Sequence, residues 1–157
     1  MMKRHILPLI CLGATVALAG SCHSGSGGSG SSDSANSPVT KLTNQIETLH
    51  EQAMNKVAPL RSLEDSLRTQ ISRLAAKGDT TQGDTARLSA LASRLNTCDT
   101  TMFGWMGRYD MQLEGKSDAE KAAYLSGQVR ELSGIDDSID SAMAAARGAL
   151  QSAAAGR

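Results

Sequence analysis

Leu88, Leu91, Leu95, Cys98, Met102, Trp105 and Tyr109 follow one another at intervals of three, four, three, four, three and four residues. No other feature of the 157-residue chain restricts its fold as strongly. An α-helix turns once every 3.6 residues, so this spacing gathers seven apolar side chains on one face; a strand would scatter them over two. A helix with a single apolar stripe must bury it against another element.

Two further stripes are available. With Ile46 taken as an a position, Ile46, Ala53, Leu60, Leu67 and Leu74 recur every seven residues, and Leu49 and Leu63 fall at d. Val57 and Ile71 widen that stripe at e, as a bundle helix requires. Ser37 before Pro38 predicts a cap and first turn. Pro59 removes one backbone donor and predicts a kink near Ala58. The third stripe is Leu125, Val129, Leu132, Ile139, Met143 and Leu150, with a bend expected at Ser133, Gly134 and Asp136. Ser117-Asp118-Ala119-Glu120 reads as a capping box at its start. Lys77 to Asp84 reads as a polar turn, and Glu114-Gly115-Lys116 closes the second helix. Helices are therefore expected over about 39–77, 85–113 and 118–153, within a folded unit at 38–155. Strand signals are nearly absent. The fold class expected is all-α: a coiled-coil-like, antiparallel up-down-up three-helix bundle. An extended rod that dimerises is the competing architecture.

What precedes the helices points to the cell envelope. Lys3 and Arg4, an apolar run from Ile6 to Ala19 and then small residues have the layout of a secretory signal peptide at 1–21. The run is short for a membrane-spanning helix. Ala19-Gly20-Ser21-Cys22 resembles the lipobox of bacterial lipoproteins, in which Cys22 is lipidated and becomes the mature N-terminus. Ordinary secretion, or a retained anchor, is the competing reading. The fifteen residues from His23 to Ser37 are mostly Gly and Ser and would span roughly 20 Å as a flexible linker. The residues just after Cys22 are not acidic; the resemblance to bacterial lipoproteins then implies a periplasm-facing position at the outer membrane. Cys11 leaves with the signal and Cys22 carries lipid, so Cys98 has no intrachain partner. It is expected as a small buried hydrophobe, with a Cys98–Cys98 dimer as the alternative. Lys and Arg total 16, as do Asp and Glu. Losing Lys3 and Arg4 leaves 14 basic and 16 acidic residues, a net charge of −2. No basic patch mixes with aromatics, which excludes nucleic acid as an expected partner. The membrane is reached through covalent lipid instead.

Three segments occur in order: LHEQAMNKV from Leu49, TMFGWMGRYD from Thr101 and YLSGQVRELSGIDDSIDSA from Tyr124. Together they resemble a group of small Bacteroidota-type lipoproteins often labelled "viral A-type inclusion protein". The resemblance spans roughly Leu42 to Leu150, and its most specific parts are His50 with Met54 and Trp105 with Met106. The chain departs from the group at Val57, where a methionine is expected, and at Gly104, where an acid is expected. The resemblance implies a helical lipoprotein and adds no mechanism.

TMFGWM, from Thr101 to Met106, holds the only Trp, the only Phe and two of the seven Met of a chain that is 3% aromatic. Two readings stand. Thioethers and a neutral imidazole suit Cu(I), and a Trp face attracts cations. In an antiparallel hairpin turning near residue 80, Met54 and Met106 fall at one level, giving a candidate soft-metal set of His50, Met54, Met106 and Trp105. Met102 and Trp105 also fit the stripe as ordinary core, while Met54 and His50 lie about 100° and 60° from Ala53 on a helical wheel. Phe103 and Met111 point further from the stripe and are the candidate partner-binding residues. Catalysis is not expected: Glu47, Glu51, Glu64, Asp65, Asp99 and Asp110 fall off the stripes, onto solvated faces. The Asp136, Asp137 and Asp140 cluster lacks the spacing and glycine of a divalent-ion loop. The reading that follows is a non-enzymatic, lipid-anchored interaction or spacer module, homo-oligomer or bound to another protein, with a soft-metal binder as the alternative.

Overall fold

A computed structural model describes residues 37–77 and 82–155. The signal segment, Cys22, the linker up to residue 36 and residues 78–81 of the expected polar turn lie outside the described residues. Those described form three helices: α1 over Pro38–Lys77, α2 over Gln82–Arg108 and α3 over Asp118–Ala155. They contain no strand.

The three stripes close on one another. Ile46, Ala53, Val57, Leu60 and Leu67 of α1 meet Leu88, Leu95, Cys98, Met102 and Trp105 of α2 and Leu125, Leu132, Ile139 and Met143 of α3, all buried. Side-chain contacts fix the directions. His50 lies against Trp105 and Arg61 against Asp99, so α1 and α2 are antiparallel. Trp105 meets Gln128 and Arg94 meets Ser141, so α2 and α3 are antiparallel too. The result is an up-down-up three-helix bundle, in which α1 supplies a face to each of the other two helices; the extended rod is set aside.

Local chemistry sets the helix ends. Ser37 Oγ accepts the Thr40 amide at 3.1 Å, ahead of Pro38 at the first helical position. At α3 both halves of the capping box form: Glu120 N–H donates to Ser117 Oγ at 3.4 Å, and Ser117 N–H donates to Glu120 Oε2 at 2.8 Å. The Ser117 hydroxyl, which donates to the same Oε2 at 2.6 Å, and then the Ser117 amide hold the Glu120 carboxyl below the usual carboxylate range.

Three expectations need correction. The second helix was expected to reach 113 and stops at Arg108. Asp110 causes this, because its Oδ1 accepts the amides of Gln112 at 3.0 Å and Leu113 at 3.2 Å and so offers the backbone a turn. Leu113 then adopts a left-handed φ of 49°, drops into the core at 5% exposure and plugs the end of the bundle. Gly115 completes the reversal with φ 72°. Second, α2 starts at Gln82, ahead of the expected 85. Third, no break occurs near Gly134: α3 runs unbroken to Ala155. Gly134 faces solvent, while Ile135, Ala142, Ala146 and Ala149 carry the stripe through. Alanine positions complete this face, and their small side chains hid the period. Pro59 sits inside the unbroken α1 on its exposed side, so the carbonyl that loses a donor faces water.

Candidate functional site at the edge between the first two helices

Most of the aromatic side chains of the chain gather near the 109–117 loop. Trp105 is 2% exposed, and its indole N–H donates to Gln128 Oε1 of α3 at 2.9 Å. A buried indole needs such a partner, and Gln128 ties α2 to α3 while providing it. Tyr109, one turn on, stacks on Trp105 with ring centroids 5.0 Å apart and planes 18° apart. Tyr124 of α3 continues the stack, 6.4 Å from Tyr109. The Tyr124 hydroxyl accepts the Asp110 amide at 2.8 Å, fastening the start of the loop. On the α1 side, the His50 ring lies 6.0 Å from Trp105, tilted by 33°. Burial, and then the negative charge of Tyr124, Glu47 and Asp110, pushes the Tyr109 phenol above its ordinary range.

Next to this stack is the α1/α2 edge. Arg61 donates to Asp99 Oδ2 from Nε at 3.2 Å and from Nη2 at 3.0 Å. Its guanidinium also lies 5.4 Å from the centroid of Phe103, a cation–π contact. Asp99 is far from a solvated surface acid: its side chain is 16% exposed and its Oδ1 is buried without a partner. Glu64, also expected on a solvated face, is 14% exposed and paired with Arg68. Phe103, Met106 and Met111 are the exposed large apolar side chains among the described residues, at 42%, 39% and 77%. Phe103 and Met106 flank one edge of α2, whereas Met111 stands apart in the loop beyond it. Met54 is half-buried against the core.

Of the four residues of the candidate soft-metal set, Trp105 and His50 are thus brought together. Met54 is half-buried and Met106 39% exposed; counted by heptads from Arg61 and Asp99, they fall on the facing edges of α1 and α2. The indole itself is packed in the core, with Tyr109 and His50 against it. Among the described residues, no group of three or more His, Cys, Asp or Glu side chains could hold a metal ion. Cys98 is 7% exposed and forms part of the wall of a groove of about 230 Å³ with Thr97, Thr101, Gly134, Ile135 and Ser138. Burial pushes its thiol up, away from the reactive thiolate and from ready pairing with a second copy.

The acidic cluster of α3 serves the fold. Lys56 Nζ reaches Asp136 and Asp140 at 2.7 Å each. Arg108 and Glu131 join α2 to α3 at 2.8 Å. Sequence reasoning did not single out Tyr124, Gln128 or Lys56. For two of them a signal existed: Trp105 and Gln128, like Tyr109 and Tyr124, are equidistant from the Lys116–Ser117 peptide. Centring the hairpin on the capping box would have paired both.

No helix among the described residues is long and apolar enough to cross a membrane. No protein-family model, curated protein or solved structure matches the chain.

Proposed function

We propose that this protein is a non-enzymatic lipoprotein of the cell envelope, anchored through Cys22 and facing the periplasm, whose helical bundle acts as an interaction or spacer module. The observation that carries the reading is the placement of exposed apolar bulk. Among the described residues of a bundle that buries its other large apolar side chains wholly or in part, Met111 stands 77% exposed on the loop, and Phe103 42% and Met106 39% exposed on α2. Exposed apolar side chains on a rigid scaffold are the usual material of a partner surface. The charged groups support the same reading. Lys56, Arg61 and Arg108 each close a bridge between helices, which is scaffold work, and the acids they meet do not converge on a pocket.

The test is site-specific photo-crosslinking in the intact envelope, with the photoreactive residue at Met111 or Phe103 and, as a control, at exposed Thr69. Discrete adducts from the first two sites and none from Thr69 are expected. Equal results at all three sites would overturn the interaction role. The anchor is tested separately: Cys22→Ser should abolish acyl labelling and membrane fractionation, and labelling that persisted would overturn it.

A further inference from the structure

The α1/α2 edge repeats with the heptad, and the repeat places two methionines at corresponding positions. Arg61 and Asp99 meet across this edge at 3.0 Å. Seven residues back along α1 from Arg61 is Met54, and seven residues forward along α2 from Asp99 is Met106. Each step is two turns, about 10 Å of rise. Because the helices are antiparallel, both steps move toward the same end of the bundle, so Met54 and Met106 occupy the positions that Arg61 and Asp99 occupy one repeat away. His50 lies one further turn along α1, on the same side, and its ring is held against Trp105 at 6.0 Å. Two thioethers and an imidazole therefore share one half-buried edge.

We propose that Met54, Met106 and His50 form a binding site for a soft monovalent cation, Cu(I). Thioether and imidazole donors favour Cu(I) over hard cations, which need carboxylate and carbonyl oxygens. The acid at the corresponding position opposite His50 is Asp110, and it is engaged: Oδ1 accepts two loop amides, and Oδ2 lies 3.9 Å from Lys116. Three neutral ligands suit a single positive charge at a half-buried site, where a second charge would raise the desolvation cost. Trp105 serves as the wall that orients the imidazole. Its burial and its stack with Tyr109 place it in the supporting shell, outside the ligand set. The site is independent of Phe103 and Met111 and goes beyond the interaction reading.

The test uses the full chain labelled with ¹³C at the methionine methyl groups and titrated with Ag(I), a redox-inert stand-in, past the amount the thiols take up. The Met54 and Met106 methyl signals should shift together, while those of Met102 and Met143, buried in the core, stay in place. A second measurement is anaerobic competition for Cu(I) against a chromophoric chelator, in a chain with Cys11, Cys22 and Cys98 changed to Ala. Met54→Leu and Met106→Leu should each weaken binding at least about tenfold at unchanged helicity, since Met-to-Leu exchange is well tolerated in packed helices. Unmoved Met54 and Met106 signals under saturating Ag(I), or Cu(I) affinity unchanged in both Leu variants, would overturn the proposal.

Discussion

Near the 109–117 loop, His50, Trp105, Tyr109 and Tyr124 stack in turn across all three helices. Toward the opposite end, Ala92 of α2 and Ala142, Ala146 and Ala149 of α3 are buried. Both regions follow the same heptad geometry, yet they are held in different ways. The ring end relies on large surfaces with preferred orientations and on polar tips with named partners, such as the indole N–H on Gln128. The alanine end relies on close approach of backbones and on side chains with no rotamer freedom to lose. Orientation is therefore specified at the ring end, and the alanine end sets how near α3 can come. It is consistent with this division that the candidate metal edge adjoins the ring end, where a rigid shell is available to position ligands.

The contrast breaks most visibly at Trp105. Trp105→Ala would leave a cavity, orphan the Gln128 carbonyl oxygen, and take a ring partner from both His50 and Tyr109. A loss of about 3–5 kcal/mol is expected. Against a total stability on the order of 5–15 kcal/mol, that should lower the thermal midpoint by many degrees, as read by circular dichroism at 222 nm. A loss below about 1 kcal/mol would mean that the stack does not hold the ring end.

The alanine end should fail in the opposite sense, by enlargement. Ala146 is fully buried, so Ala146→Val must push α3 away from its neighbours. The expected cost is about 1–3 kcal/mol, from overpacking together with β-branching in a helix. An indifferent Ala146→Val would show slack at that end and remove the distinction between the two regions.

The same division explains what could be read from the sequence. Large side chains at strict spacing announce a helix and its buried face, so Leu88 to Tyr109 and Ile46 to Leu67 were legible at once. Ala142, Ala146 and Ala149 carry little hydrophobic weight, so the α3 stripe looked interrupted at Gly134 although the helix is continuous. The early end of α2 was hidden because it depends on one Asp side chain satisfying two amides, which is chemistry that no periodicity encodes. At the candidate site, residue types and level were legible from the hairpin, but the phase was not. A wheel drawn on a straight helix put Met54 and His50 off the stripe. Across that offset His50 nonetheless meets Trp105, and Arg61 meets Asp99. The burial of Trp105 against Tyr109 and Gln128 depended on the register of α3, which the sequence carried only through the capping box.

The smallest effect is expected at Lys56, whose ammonium reaches two α3 carboxylates at 2.7 Å. Burial works against its charge, but the hydrogen bonds to Asp136 and Asp140 outweigh it and hold the ammonium above the ordinary lysine range. A group with a raised folded-state pKa stabilises fully below its unfolded value, about 10.4 for lysine, and loses that contribution as pH rises through the folded value. Lys56→Met should therefore cost about 0.5–1 kcal/mol at neutral pH, modest because the bridge is partly solvated, and the difference from the parent should shrink above about pH 10.5. Thermal melts of both chains across that range provide the measurement. Tyr109 complicates the same window, since its raised phenol also makes the parent less stable above about pH 10, as the unfolded chain releases that proton first. Repeating the pair of melts in a Tyr109→Phe background separates the two. If the Lys56→Met difference persists undiminished at about pH 11.5 in that background, the ion pair does not hold α1 to α3.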